Sequence, residues 1–434
     1  MRYGVAHYIT IMSTLGHKVK TFLGDSVLRK RILFVLGALA VFRLLASIPI
    51  PGVDAARLAE VLSGNQFLGL LNIFSGGGFT NLSIVMIGVA PYITASIIMQ
   101  LLTIMVPRLK ELYHEEGDAG KKKFIQYSRL LVVPLGVIQA IGFLALLSQQ
   151  EIITHLSGLA LVTNIAVIVG GSILLMWIGE LITEFGIGNG VSMIIFAGIV
   201  SGLPSTVGQW IFAYDASQLP MLLGFILFTL LITAGVVAVT EAERPIPITY
   251  AKRVRGSKMF GGTSTYLPLR VNQSGVMPII FALSFLLFPQ MILSFFLGVE
   301  NPGVQNVVQT VIDLLANPWF YGTFYFVLVV FFTYFYTAVT FDPESISKSL
   351  QRGGAFIPGV RPGVSTSDHI GRVVTRITLV GALFLGLIAV LPIGMQAYTG
   401  NASFAIGGTA LLIVVSVVLD LVKKIDAQVS MREY

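Results

Sequence analysis

The stretch LALVTNIAVIVGGSILLMWIGEL, residues 159–181, consists mainly of apolar and small residues and contains one charged residue, Glu180. A transmembrane helix needs about 20 predominantly apolar residues to cross the hydrocarbon core of a bilayer. The strands of a membrane barrel would instead alternate apolar and polar side chains over about ten positions. The uninterrupted run therefore predicts a helix that spans a membrane.

The composition extends this interpretation to the whole chain. Of 434 residues, 55% are hydrophobic and 11% are charged, whereas soluble domains carry about 25% charged residues. Backbone polar groups inside a bilayer must be satisfied within helices or closed barrels. The sequence therefore predicts an all-α, polytopic membrane protein with ten transmembrane helices. The predicted spans are residues 32–50, 80–105, 126–148, 159–181, 191–213, 219–240, 273–297, 319–340, 375–394 and 405–422.

The basic residues predict how these spans are oriented. When the amino terminus is placed inside, most of the 28 Lys and Arg residues fall in the inner segments. Cytoplasmic loops of membrane proteins concentrate Lys and Arg. Arg43, within the first span, and Arg57, in the first outer loop, are exceptions. The pattern predicts that both termini are cytoplasmic.

The predicted spans divide evenly near residue 215. Residues 1–215 hold spans one to five, and residues 216–434 hold spans six to ten. An odd number of spans in each half would place the second half upside down relative to the first. Because the halves share no clear sequence identity, this pseudo-symmetry is an architectural hypothesis.

One apolar segment is too short to be a span. Residues 67–74, FLGLLNIF, would reach only about 12 Å as a helix, and the glycine-rich residues 75–78 follow directly. A short helix, a flexible break and a full span describe a re-entrant element beside a cavity. The same pattern fits a helix that lies on the outer membrane surface. The residues alone favour neither interpretation.

Two inner loops are long and basic, at residues 241–272 and 341–374. Pro and Gly are dense around Arg361, and this density predicts an ordered turn that holds the Arg361 side chain at a tip. Such charges could simply set topology. They could also form a docking surface for a cytoplasmic partner, because binding residues often lie on exposed loops of a rigid scaffold.

Sequence patterns that would indicate catalysis are scarce. The five His residues lie near span ends or in loops, and the HExxH and GxSxG motifs do not occur. The sequence thus predicts a protein that is not an enzyme and uses no cofactor or metal. The alternative function is a secondary transporter for a small solute. Such transporters usually place charged groups near the midplane, where Arg43 is the one candidate.

Several motifs in sequence order give the chain a family resemblance. They are residues 48–54 (IPIPGVD), 72–77 (NIFSGG), 91–96 (PYITAS), 182–190 (ITEFGIGNG) and 356–363 (FIPGVRPG). Together they resemble the SecY/Sec61 family of protein-conducting channels over nearly the whole chain. The resemblance implies a clamshell of two five-helix halves with an hourglass pore between them. It also implies a location in the cytoplasmic membrane.

The same resemblance implies roles for individual residues. An apolar pore ring would close the channel, a plug at 67–79 would lie under it, and a lateral gate would open between spans 2 and 3 and spans 7 and 8. The ring residues are Val89, Ile93, Val191, Ile195, Ile280 and Ile413; the plug residues include Phe67, Leu70, Leu71, Asn72, Ile73 and Phe74; the gate residues are Ser96, Gln139, Asn272 and Ser284; the docking residues are Arg244, Lys252, Arg253, Arg255, Lys258 and Arg361.

The resemblance also implies a function and partners. The channel would move unfolded secretory polypeptides across the membrane and release membrane-protein segments into it. Its partners would be SecE and SecG subunits, the motor ATPase SecA, the ribosome, signal peptides, nascent chains and membrane lipid. The physics of the ring agrees with this function, because Val and Ile at positions i and i+4 face one direction on a helix. Such stiff apolar side chains can dewet a constriction.

Overall fold

Most of the long apolar runs form helices in the structure, which is a computed structural model. Each predicted span overlaps one helix, although the helix bounds differ by several residues from the predicted ones. The structure describes residues 25–50, 75, 78–79, 82–114, 116–149, 158–212, 219–250, 253–255, 258–260, 264–296, 302–399 and 402–433.

Helices make up most of the described residues, and short β-strands lie in two of the loops between them. The helices are α1 Ser26–Leu45, α2 Ala90–Met105, α3 Pro107–His114, α4 Gly117–Gln149, α5 Gly158–Phe185, α6 Gly190–Phe212, α7 Leu219–Glu241, α8 Met277–Phe296, α9 Pro302–Ala316, α10 Pro318–Thr340, α11 Pro343–Arg352, α12 Val364–Thr399 and α13 Ala402–Glu433. The strands are β1 Glu243–Tyr250, β2 Arg253–Arg255, β3 Lys258–Phe260, β4 Ser264–Arg270 and β5 Ala355–Phe356.

Length and apolarity identify which helices could cross a membrane by themselves. Within the described ranges, four helical stretches meet both conditions: Gly117–Ser148, Gly158–Phe185, Pro318–Arg352 and Val364–Met395. A fifth is possible if α2 and α3, which bend by 112° at their junction, form one broken span. The all-α, multi-pass character is confirmed, whereas the count of ten membrane crossings stays a prediction.

The second predicted span does not start as a helix. Residues 82–89 form turns and one β-bridge, and α2 begins at Ala90. Leu82 has a positive φ of 41° and Gly88 one of 64°, and such values interrupt a right-handed helix. The Ile50 N–H donates to the Leu82 carbonyl at 2.9 Å, so an extended segment holds these turns in place. The prediction of one helix over 80–105 was wrong at its amino-terminal end.

The chain divides into two compact units. Unit one contains residues 1–99, 111–214 and 417–434, and unit two contains residues 100–110 and 215–416. The main division, between residues 214 and 215, falls next to the predicted boundary. The last helix, α13, contributes its first part to unit two and its final part, from residue 417, to unit one.

In unit one, α5 packs against α1, α4 and α6. Glycines allow the closest approaches. A Cβ on Gly171 would collide with the Ile84 carbonyl, and a Cβ on Gly190 would collide with the Gly179 carbonyl. The helix α5 can therefore lie directly against the 82–89 turns and the start of α6 only because these positions carry no side chain.

In unit two, α10 packs against α8, α9 and α12. A Cβ on Gly386 would lie 2.7 Å from the Phe326 ring, and one on Gly381 would lie 2.6 Å from the Val271 carbonyl. Small residues at such crossings let helix backbones approach closely, as is common inside membranes. The α10–α12 pair is the packed centre of this unit.

A small β-structure was not predicted from the sequence: β1 to β4 lie in the loop 241–272, and β5 lies in the loop 341–374. The strands β4, β1 and β5 form one antiparallel sheet in that order, and β2 and β3 form a separate hairpin. Pro245 and Pro247 lie in the part of β1 that pairs with β4, while β5 pairs only with Thr249 and Tyr250. Proline is tolerated in a strand where its missing N–H would face an open edge.

Candidate functional site

The first pair of predicted ring residues lies at the start of α2 in unit one. Val89 and Ile93 are both buried. The Ile93 N–H donates to the Val89 carbonyl at 3.0 Å, so the helical spacing of the pair holds although Val89 precedes the helix. The Ser172 hydroxyl donates to the Gly88 carbonyl at 2.7 Å and fixes this turn against α5.

The second pair lies at the start of α6, also in unit one. The Asn189 side chain caps this helix, because its Oδ1 accepts from the Val191 N–H at 3.1 Å and from the Ser192 N–H at 3.3 Å. The Gly190 N–H donates to the Thr183 hydroxyl at 2.9 Å. Val191 is half-buried and Ile195 is buried. The GIGNG motif therefore acts as a helix start that positions this pair.

The remaining predicted ring residues belong to unit two. Ile280 on α8 and Ile413 on α13 are both buried. The helix α8 starts after Gly275, whose φ of 61° suits glycine. Within each unit these side chains lie at helix starts or within helices. Closure of a ring by all six residues stays a prediction.

The predicted plug lies mostly outside the described residues. Phe67, Leu70, Leu71, Asn72, Ile73 and Phe74 are among the residues that the structure does not describe. The segment that follows is anchored in unit one. The Phe79 ring is buried and meets the Phe143 ring edge to face at 5.0 Å, and the Phe79 N–H donates to the buried Ser75 hydroxyl at 2.9 Å.

The predicted gate residues on unit one lie on α2 and α4. Gln139 is buried, and its Nε2 donates weakly to the Thr94 hydroxyl at 3.4 Å. Its Oε1 has no hydrogen-bond partner among the described residues. Ser96 is half-buried on α2, two residues after Thr94. The long hydrogen bond between the Gln139 and Thr94 side chains therefore joins α4 to α2.

The predicted gate residues on unit two lie at and after the end of the β-structure. Asn272 is buried, its Nδ2 donates to the Gly275 carbonyl at 3.2 Å, and its Oδ1 accepts from the Ser274 hydroxyl at 3.2 Å. Ser284 on α8 is buried, and its hydroxyl has no hydrogen-bond partner among the described residues. Asn272 thus shapes the turn into α8, while Ser284 carries unused hydrogen-bonding capacity.

The two basic loops fold together within unit two. A hydrophobic core joins buried side chains of the β1–β4 pair to the second loop and to the start of α12. We call this body the sheet platform, and it comprises β1, β4, β5, α11, residues 357–363 and the first turns of α12. Its buried core residues are Ile246, Leu269, Ile357, Ile370, Val374 and Ile377. The loops are therefore parts of one packed body.

Arg361 is exposed at a turn of this platform. Gly359 and Gly363 flank it with φ values of 81° and 101°, which favour glycine. The Thr366 hydroxyl donates to the Arg361 carbonyl at 2.8 Å, and the Ser347 hydroxyl of α11 donates to the Gly363 carbonyl at 2.7 Å. The backbone is thus held from both sides, while the side chain remains exposed.

The other predicted docking residues are distributed along the first loop. Arg244 is exposed on β1. Arg253, Arg255 and Lys258 lie on the β2–β3 hairpin, where Arg255 is opposite Lys258. Lys252 lies outside the described residues. The hairpin therefore brings basic positions of the first loop close together along the backbone.

The platform also carries ion pairs at exposed positions. The Lys348 Nζ lies 2.7 Å from the Glu344 Oε1 on α11. The Arg270 Nε lies 3.4 Å from the Glu243 Oε1 across β1 and β4. Exposed pairs of this kind contribute little to stability, so the apolar core holds the platform together.

One ion pair that was not predicted from the sequence lies between two long helices. The Arg129 Nε and Nη2 atoms each lie 2.8 Å from a different carboxylate oxygen of Glu180. This bidentate geometry joins α4 to α5 inside unit one. Arg129 falls at the start of the predicted span 126–148, and its charge there was the available signal. Among the described residues, no cluster of His, Asp and Glu suits a metal ion.

These features define a class of protein: a polytopic helical membrane protein with a basic, sheet-containing platform built from its loops. The sequence profile of the SecY family matches residues 83–422. The chain is 43% identical over 430 residues to the protein translocase subunit SecY of Mycobacterium leprae, a match that covers 94% of this chain and 96% of that protein. The chain belongs to the SecY family.

Further comparisons agree with this family. Identity to the protein translocase subunit SecY of Streptomyces coelicolor is 40% over 425 residues, or 94% of this chain and 96% of that protein. Among solved structures, a protein-conducting channel matches with a TM-score of 0.64 at 18% identity, covering 92% of each chain. Sec61 from a canine ribosome-channel complex matches with a TM-score of 0.59 at 17% identity, covering 92% of each chain. These two likenesses show the fold.

Proposed function

We propose that this chain is the central subunit of a protein-conducting channel. It moves unfolded secretory polypeptides across the cytoplasmic membrane and releases membrane-protein segments laterally into the bilayer. The observation that carries the proposal is membership of the SecY family over 94% of the chain. The relatives bear the name protein translocase subunit.

The pore ring is the proposed seal. Val89, Ile93, Val191, Ile195, Ile280 and Ile413 are assigned to it. Five of them are buried and Val191 is half-buried, which suits side chains that pack in a closed channel. An apolar constriction of β-branched side chains dewets and blocks ions. It also offers no hydrogen-bond partner that would select one peptide sequence over another.

The plug and the lateral gate are proposed on separate grounds. Residues 67–79 are assigned to the plug, and their carboxyl end is anchored where Phe79 packs on Phe143. The family resemblance assigns Ser96, Gln139, Asn272 and Ser284 to the gate. Gln139 and Ser284 are each buried with a polar atom that lacks a partner among the described residues. Buried polar atoms normally have hydrogen-bond partners. We propose that these atoms gain partners when the gate rearranges.

The sheet platform is the proposed docking surface for cytoplasmic partners. Its apolar core gives Arg361 and Arg244 a stable support, and exposed Arg side chains suit carboxylates and RNA phosphates. SecA and the ribosome are the proposed partners at this surface. SecE and SecG are the proposed membrane subunits. Both chain termini would then lie in the cytoplasm, together with the platform.

Reconstitution tests this function. The chain would be purified with its co-purifying subunits and placed in liposomes with SecA, ATP and a secretory precursor that is held unfolded. The expected result is ATP-dependent protection of the precursor from added protease, which disappears when the vesicles are opened with detergent. Full digestion of the precursor in sealed vesicles that contain the intact complex would contradict the proposal.

A further inference from the structure

The surface of helix α9 has three faces: one packed against protein, one apolar and one polar. Val308 and Leu315 are buried where α9 packs against α8 and α10. Val307 and Leu314, one heptad apart, form an apolar flank and are 65% and 47% exposed. Because residues seven apart lie on nearly the same side of a helix, this flank is one continuous strip.

The third face of α9 is polar. Asn306, Gln309, Thr310 and Asp313 are exposed on it. The Gln309 Nε2 donates to the Asp313 Oδ1 at 3.0 Å, and the Thr310 hydroxyl donates to the Asn306 carbonyl at 2.7 Å. A helix with one face on protein, one apolar flank and one polar face fits a boundary between hydrocarbon and water.

The neighbouring helix indicates what covers the apolar flank. One residue, Asn317, separates α9 from α10, and the Asn317 Oδ1 accepts from the Trp319 N–H at 3.0 Å. Trp319 is 78% exposed, and Val327 and Phe331 are exposed further along α10. In a membrane protein such an apolar helix surface contacts lipid, and Trp is enriched where the hydrocarbon meets the headgroups. Leu314, at the end of the flank nearer to α10, precedes Trp319 by five residues.

We propose that α9 is an interfacial helix whose Val307–Leu314 flank contacts the bilayer at the end where α10 enters it. The occupant is lipid at the boundary of headgroups and acyl chains. The polar face of α9 is then in water. The inference depends on membrane insertion of the chain and not on the pore ring, so it can fail while the proposed function stands.

Site-directed spin labelling tests this placement. The chain contains no Cys, so Val307→Cys and Leu314→Cys give single labelling sites in the full chain, purified with its subunits and placed in liposomes. Asn306→Cys, on the polar face, is the matched control. The measurement compares collisions of each label with oxygen, which concentrates in hydrocarbon, and with a neutral water-soluble nickel complex.

The expected result is a higher oxygen-to-nickel accessibility ratio at positions 307 and 314 than at position 306. A ratio at 307 and 314 equal to that at 306 would show that both faces share one environment, and this result would overturn the proposal. Low accessibility to both reagents at 307 and 314 would show that protein covers the flank and would also overturn it. All these positions are exposed, so the labels leave the packed face of α9 unchanged.

Discussion

Ile413 belongs to the proposed pore ring, so we expect its substitution to change the balance between a closed and an open channel. Its side chain is fully buried on α13, and burying an Ile side chain contributes about 1.5–3 kcal/mol. Ile413→Asn removes this apolar contact from the closed state and supplies an amide that prefers water. If the contact exists only in the closed state, the open population rises about tenfold to a hundredfold, since about 1.4 kcal/mol is a factor of ten.

Export of a precursor with a weakened signal sequence measures this change. Less signal-binding energy is needed to open the Asn channel, so more of the weakened precursor becomes protected from protease in membrane vesicles. Ile413→Leu should behave nearly as the parent, because it keeps size and polarity. Val418→Asn, at an exposed position of the same helix, controls for an added amide. Equal export by the Ile413→Asn and Val418→Asn channels would show that Ile413 does not stabilise the closed state.

Three further predictions concern the platform, the plug and the ion pair. Arg361→Glu should abolish SecA-driven export, measured in vesicles, while the chain still inserts in the membrane; normal export would remove Arg361 from the docking surface. Deletion of residues 67–75 should give transient ion conductance in planar bilayers with export retained, and silent bilayers would contradict a plug. Glu180→Gln should lower the free energy of unfolding in detergent by about 0.5–1 kcal/mol, because the Arg129 side chain is 47% exposed and Gln keeps one hydrogen-bond acceptor. An unchanged unfolding midpoint would show that the pair is dispensable.

The helices of this chain were largely predictable from sequence. Long apolar runs such as residues 159–181 have one stable form in a bilayer, since a helix satisfies its own backbone. The positions of helix ends were less predictable. The turns at 82–89 depend on a hydrogen bond from Ile50 and on a positive φ at Leu82, and neither has a local sequence signal.

The β-structure was missed for a related reason. Prolines at 245 and 247 argue against a strand when a sequence is considered alone. They fit here because β5 covers only the far end of β1. The core that joins the two loops brings together residues as distant in sequence as Ile246 and Ile370, and no local pattern predicts such pairing.

Individual site residues were predictable only in part. The spacing of Val89 and Ile93 predicted a shared helix face, and the glycines around Arg361 predicted an ordered turn. The Arg129–Glu180 pair was not predicted, although both charges stand out in apolar surroundings. Assignment of side chains to a pore ring rests on family resemblance, because buried Val and Ile residues look alike in any helical core.

Cross-linking between the proposed ring and a polypeptide in transit is the most direct test of whether this chain conducts polypeptides. The chain has no Cys. A channel that carries Ile195→Cys or Ile280→Cys can therefore form a disulfide, under oxidising conditions, with a single Cys in a precursor stalled during SecA-driven export. Disulfide-linked products are expected at both positions, and their formation should require ATP and a functional signal sequence. Leu387→Cys, exposed on α12, should give none. Cross-links at position 387 but not at 195 or 280 would contradict a channel that conducts polypeptides through this ring.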